Sequence, residues 1–211
     1  MKATVYKGNG TFSVIDKKLE APKSDEVRIK VAYTGVCGTD VHIYHGMMDK
    51  RVAIPQTIGH EMSGTIDAIG ENVSEYSIGE KVVVRPLDDR LVKASDKGYN
   101  HICADLKFIG IDSPGSMQQY WNVPAFVLHK LKPETDLKLA ALIEPLSVAV
   151  HDVKLSGLVS GETAVVLGGG PIGLLVALVA KHAGANVIIS EVNEARIKKA
   201  AEFGLQAVNP T

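Results

Sequence analysis

Cysteine is scarce in this chain: Cys37 and Cys103 are the two present among 211 residues. Two thiols cannot build the disulfide framework of a small secreted domain. The chain opens directly on the strand-like Met1-Lys2-Ala3-Thr4-Val5 with no signal-peptide pattern. Free thiols or metal ligands are therefore expected in place of a disulfide, and the cytoplasm is the expected compartment. An excess of one charge is lacking too, with 23 basic against 24 acidic side chains and no basic block, which argues against a nucleic-acid partner. The longest apolar stretch, 172–180, is too short to span a bilayer and runs into Lys181 and His182, so no membrane partner is expected.

What is present divides into two textures. Residues 1–155 carry short strand patterns broken by Gly, Pro, Asn and Asp, at 2–6, 26–33, 63–69 and 81–85, the spacing of an all-β barrel. From Gly161 the pattern becomes βαβαβ. Residues 163–167 read as a strand buried on both faces, and 171–184 as a helix with Pro171 in its first turn and Gly184 at its end. Residues 186–190 read as a second strand, Asn193 as the cap of a helix running to Phe203, and 206–209 as the start of a third strand. That is about half of a doubly wound parallel sheet, occupying 156–211.

Gly168-Gly169-Gly170-Pro171-Ile172-Gly173 sits between the first of these strands and its helix, the context that turns a weak glycine pattern into a dinucleotide-binding signal. Gly168 permits the tight turn, Gly170 lets backbone approach a pyrophosphate, and Gly173 lets helix pack on strand. The N–H groups at the helix start, around Pro171 and Ile172, then favour phosphate. Glu191, at the end of the second strand, can accept bonds from an adenosine ribose and repel a 2′-phosphate, which favours NAD. Arg196, close by, would welcome that phosphate and pulls the other way.

Cys37 stands in Gly35-Val36-Cys37-Gly38-Thr39-Asp40-Val41-His42, and a second short segment is Gly59-His60-Glu61. Thiolate, imidazole and carboxylate are the side chains that bind zinc, and a catalytic zinc takes three protein ligands and keeps one position open. Cys37, His60 and Glu61 thus read as two halves of a metal site. Metal first and dinucleotide second, on one chain, points to alcohol oxidation.

These segments, together with Glu144-Pro145-Leu146-Ser147-Val148-Ala149-Val150-His151 and the glycine turn, resemble the zinc-dependent medium-chain alcohol dehydrogenases. The resemblance covers essentially the whole chain. It is strongest to the polyol branch of sorbitol (L-iditol), threonine and 2,3-butanediol dehydrogenases, and the stretch 107–115 is similar to the sorbitol type. It implies a GroES-like β-barrel catalytic domain over 1–155, followed by the first half of a Rossmann domain over 156–211. It further implies one catalytic zinc on Cys37 and His60, with Glu144 or Glu61 as third ligand, Asp40 orienting His60, and a proton path through Thr39 and His42. The implied reaction is hydride transfer from a secondary alcohol, such as sorbitol, to NAD, with threonine or butanediol as alternative substrates. The family suggests a homodimer or homotetramer. His45 and His151 acquire no role.

The chain departs from the family in two places. Counting back from Cys103 by the spacing of a four-cysteine structural zinc lands on Ser95, Val92 and Asp89, so no structural zinc is expected and 88–97 is expected to be a polar loop. Relatives of this type run roughly a hundred residues further, so a fragment, an incomplete sequence or a decayed, non-catalytic homologue all remain open. A zinc-free quinone reductase of the same superfamily is disfavoured, because that branch lacks the cysteine and histidine ligands. Residues 113–121 are candidates for lining the cleft or for packing.

Overall fold

The computed structural model describes residues 1–90 and 100–211, which form two compact units, Met1–Glu144 and Pro145–Thr211. The expected lobe positions Val92 and Ser95, and the loop up to residue 97, lie outside the described residues. In the first unit a hairpin of β1 (Lys2–Tyr6) and β2 (Phe12–Asp16) is followed by β3 (Glu26–Thr34), the short helix α1 (Gly38–Tyr44), β4 (Met62–Ile69) and β5 (Lys81–Val84). Then come β6 (Leu87–Asp88), β7 (Lys107–Phe108), β8 (Tyr120–Pro124), β9 (Leu128–Lys130) and α2 (Leu137–Ala140). Five strands pair antiparallel in the order β8-β3-β4-β5-β9. Alternation along β3 and β4 turns Val27, Ile29, Met62 and Ile66 inward, where they meet Val82, Trp121 and Val123 in one core.

A second cluster, Tyr6, Ile43, Val52, Ile58 and Ile111, joins the hairpin to α1 and to the segment before β4. It seats α1, a helix too short to be stable by itself, through the fully buried Ile43. Register decides what lies at the end of the sheet. Thr34, the last residue of β3, pairs with Met62, the first of β4. The chain leaving β3 therefore runs beside the chain entering β4.

The helix α3 (Ile143–Ser156) crosses the division between the units and ends close to the boundary expected near 155. The second unit continues with β10 (Thr163–Leu167), α4 (Pro171–His182), β11 (Asn186–Ser190), α5 (Glu194–Glu202) and β12 (Gln206–Val208). The three strands pair in parallel in the order β10-β11-β12. Ala177, Ile189, Ala200 and Leu205 form the buried centre of this βαβαβ unit.

Candidate functional site

Because β3 ends where β4 begins, Cys37, three residues past Thr34, meets His60 and Glu61, which directly precede Met62. The Gly35 N–H donates to the Glu61 carbonyl at 2.6 Å, locking the two segments together. One ligand atom each from Cys37, His60 and Glu61 lie within 4.8 Å of one another, and they are the one such group among the described residues. His60 and Glu61 are buried and Cys37 is half-buried. Gly35 is required beside them, since a Cβ there would collide with the Glu61 carboxylate.

The electrostatics of this cluster resist charge in every member. Burial lowers the His60 pKa to about 4 and leaves its Nδ1 without a hydrogen-bond partner. Burial raises Cys37, against the opposing pull of Thr39, whose N–H and hydroxyl both reach the sulfur, and with help from the charges of Glu61 and Asp40. Burial likewise raises Glu61, which a hydrogen bond from the Cys37 thiol partly offsets. Glu144 is pushed up to about 7 by burial and then by the charge of Glu61, and Asp40 to about 6 by burial, with Glu61 adding to it. Buried acids crowded together, beside an imidazole that stays neutral, are groups that a divalent cation would stabilise in their ligating forms. Thiolate, imidazole nitrogen and carboxylate oxygen also match zinc in type. The residues present fit the metal.

Asp40 occupies α1 as a buried cap: its Oδ2 accepts the Cys37 N–H at 2.8 Å, while its Oδ1 has no partner. The expected bond between Asp40 and His60 is thus not among the hydrogen bonds of the described residues, although each side chain holds one unspent buried atom. Thr39 is half-buried, with its hydroxyl given to Cys37, and His42 lies exposed on α1. Glu144 lies outside the group formed by Cys37, His60 and Glu61 but close enough to sense the Glu61 charge.

Sequence reasoning missed the clasp that holds His60. The Phe108 ring stands edge-on to the imidazole. Gly115, Ser116 and Met117 donate backbone N–H groups to the carbonyls of Thr57, Gly59 and Ile58. The Ser116 hydroxyl shares a hydrogen bond of 2.7 Å with Thr34. Gly110 and Gly115 approach the Gly59 carbonyl so closely that a Cβ at either would collide with it. Residues 115–117 therefore pack rather than line a substrate cleft. Ser113, Pro114 and Trp121 do edge a cleft of about 490 Å³, but none of the candidate ligands lines it. One sign of the clasp lay in the sequence, in the glycine pair at 110 and 115.

In the second unit Gly168 adopts φ +94°, and Gly170 caps α4, whose first residue is Pro171. The N–H groups of Ile172 and Gly173 open the helix, where no intrahelical carbonyl is available to them. A Cβ on Gly173 would strike the Gly168 carbonyl, so the helix can follow the turn this tightly only with glycine there. Glu191 is buried and accepts from the backbone of Gly169, Val192 and Asn193, with Arg196 at 3.4 Å. Those backbone donors hold its pKa down to about 2.

Comparison with known proteins agrees with this architecture. Residues 23–133 match the family described as Alcohol dehydrogenase GroES-like domain. The chain is 56% identical over its whole length to the 2-dehydro-3-deoxy-L-galactonate 5-dehydrogenase of Pseudoalteromonas atlantica, covering 62% of that protein. It is 39% identical to the sorbitol dehydrogenase of Halalkalibacterium halodurans, over 97% of this chain and 61% of the relative. Galactitol-1-phosphate dehydrogenase from Escherichia coli superimposes with a TM-score of 0.91 at 30% identity, over 100% of this chain and 61% of that one. The chain belongs to the zinc-dependent medium-chain alcohol dehydrogenase family. It spans about three-fifths of the length of these relatives. Among the described residues no helix is long and apolar enough to cross a membrane.

Proposed function

We propose that this chain carries the metal-binding catalytic unit, and the adenosine-binding part of the nucleotide unit, of a dehydrogenase that oxidises a secondary alcohol of a polyhydroxylated substrate with NAD. The observation that carries the reading is the convergence of Cys37, His60 and Glu61 within 4.8 Å. Among substrates, a sugar acid like that named for the relative sharing 56% of its residues is the first choice. Sorbitol, threonine and 2,3-butanediol follow. The Gly168, Gly170, Pro171, Ile172 and Gly173 turn would take the pyrophosphate, and the acidic Glu191 favours NAD over NADP.

In the mechanism, Cys37, His60 and Glu61 would hold the ion, with Glu144 as the neighbouring carboxylate. When bound, zinc supplies a Lewis acid that acidifies a substrate hydroxyl, as it brings bound water to a pKa of about 7 in carbonic anhydrase, and NAD accepts the hydride. One thiolate and one carboxylate balance the two positive charges of zinc, so the residues build a neutral site that tolerates an alkoxide. Asp40, with an unspent buried oxygen, would fix the imidazole of His60. The Thr39 hydroxyl would take the substrate proton on exchanging its bond to the Cys37 sulfur, and exposed His42 would release it to water.

A second reading, metal and nucleotide binding without turnover, has one observation in its favour. Val165 and Leu167 on β10 are 60% and 84% exposed, although strands of a parallel sheet are ordinarily covered on both faces. The test is zinc analysis of the purified chain combined with NADH formation from 2-dehydro-3-deoxy-L-galactonate, sorbitol, threonine and butanediol. Zinc with turnover of the sugar acid supports the proposal. Zinc without turnover of any of the four supports the second reading, and no zinc overturns both.

A further inference from the structure

The glycine turn poses a mechanical problem. Gly168-Gly169-Gly170 has no side chain of its own, and glycine loses more conformational freedom on ordering than any other residue. A turn this loose cannot present N–H groups to a pyrophosphate in fixed directions unless something outside it holds it. The end of β11 does so residue by residue. The Gly168 N–H donates to the Ser190 carbonyl at 2.8 Å, and the Gly169 N–H donates to Glu191 Oε2 at 2.7 Å. Glu191 is anchored in turn by its own N–H to the Val208 carbonyl of β12.

The Glu191 carboxylate is heavily committed. Oε1 accepts from Val192 and Asn193, each at 2.8 Å, while Oε2 accepts from Gly169 and from Arg196. Two carboxylate oxygens offer about four acceptor positions, so the protein itself already uses them. Gly169 fits the same arrangement. Its φ is not in the left-handed region, yet a Cβ there would stand 3.3 Å from Glu191 Cγ and 3.4 Å from Oε2. The missing side chain at 169 makes room for the carboxylate.

We propose that Glu191 is a positioning residue which sets the phosphate-binding turn by gripping the Gly169 N–H, and that its effect on nucleotide affinity runs through this turn rather than through a ribose contact. The proposal rests on the nucleotide-binding reading above for its affinity arm and stands apart from it for its structural arm.

The test uses the full chain with Glu191→Gln, Gly169→Ala and the double substitution. In nucleotide-free protein, amide exchange at 168–170 should quicken about tenfold in Glu191→Gln, the scale of a lost hydrogen bond to a charged group. Glu191→Gln should weaken ADP and 2′-deoxy-ADP by the same factor, about tenfold. Gly169→Ala, which keeps the carboxylate and displaces it, should reproduce both effects, and the double variant should be no worse than either single one. Loss of ADP affinity with 2′-deoxy-ADP affinity unchanged would mean a ribose contact and would overturn the proposal. So would unaltered exchange at the turn, or additive effects of the two substitutions. If the parent chain binds neither nucleotide while exchange responds as expected, the nucleotide reading fails and the brace stands.

Discussion

The Phe108 ring meets the His60 imidazole edge to face, with centroids 4.9 Å apart and planes at 88°. Phe108 is itself held from behind: its N–H donates to Asp112 Oδ2, and Asp112 receives a two-pronged ion pair from Arg51. The chain of contacts runs from a surface arginine to a buried candidate ligand. Aromatic pairs of this kind contribute about 0.5–1.5 kcal/mol beyond their buried area. Phe108→Leu should accordingly weaken zinc binding by about 2- to 10-fold, as read by competition with a chromophoric chelator, and leave far-ultraviolet circular dichroism unchanged.

Glu61 and Glu144 can be ranked as ligands. Glu61 converges with Cys37 and His60, whereas Glu144 senses the Glu61 charge from outside that group. Glu61→Gln should cost more than the roughly 10- to 100-fold in metal affinity typical of groups that only support a ligand. Glu144→Gln should stay inside that range. Equal losses, or the reverse order, would assign the third position to Glu144.

The close approach of Gly115 to the carbonyl of Gly59 gives a purely steric prediction. Gly115 does not adopt a positive φ, so alanine is conformationally allowed there but has no room. Gly115→Ala should destabilise the chain by about 1–3 kcal/mol, the usual cost of overpacking, and should lower zinc affinity by shifting the segment that carries His60. Urea unfolding with and without zinc separates the two effects.

Glu191 gives the pH prediction. Its folded pKa, about 2, lies below the ordinary 4.5, so the ionised form is the one that folding favours. The stability it contributes is fully present above pH 4.5 and is lost as pH falls toward about 2. The gap in urea midpoint between the parent chain and Glu191→Gln should be widest at neutral pH and narrow steadily below pH 4.5. A gap that grows on acidification would contradict the assignment.

Much of the scaffold was legible because the local pattern and the tertiary environment agree. The strands at 2–6, 163–167 and 186–190 read from their apolar spacing are β1, β10 and β11. Asn193 caps α5 as its position suggested, accepting from Ala195 and Arg196. The helix α1 was not legible, since Gly38-Thr39-Asp40-Val41-His42-Ile43-Tyr44 is too short to show a period and holds three β-branched residues. Its stability comes from Asp40 at its first turn and Ile43 in the core. The contact of 115–117 with 57–59 joins residues far apart in sequence and is made by backbone, so side-chain pattern carries little trace of it. The commitment of Glu191 to Gly169 was hidden for a similar reason. An acid about twenty residues past a glycine turn reads as a ribose ligand, and only coordinates reveal that its acceptors are occupied.

The account turns on whether Cys37, His60 and Glu61 grip one ion together. Cobalt substitution addresses this most directly, because a thiolate bound to Co²⁺ gives an intense near-ultraviolet charge-transfer band. One equivalent of cobalt should produce that band in the parent chain. Cys37→Ser should abolish it, and His60→Ala should remove metal binding. Cobalt bound at one equivalent with no thiolate band, or a band that survives Cys37→Ser, would contradict the account.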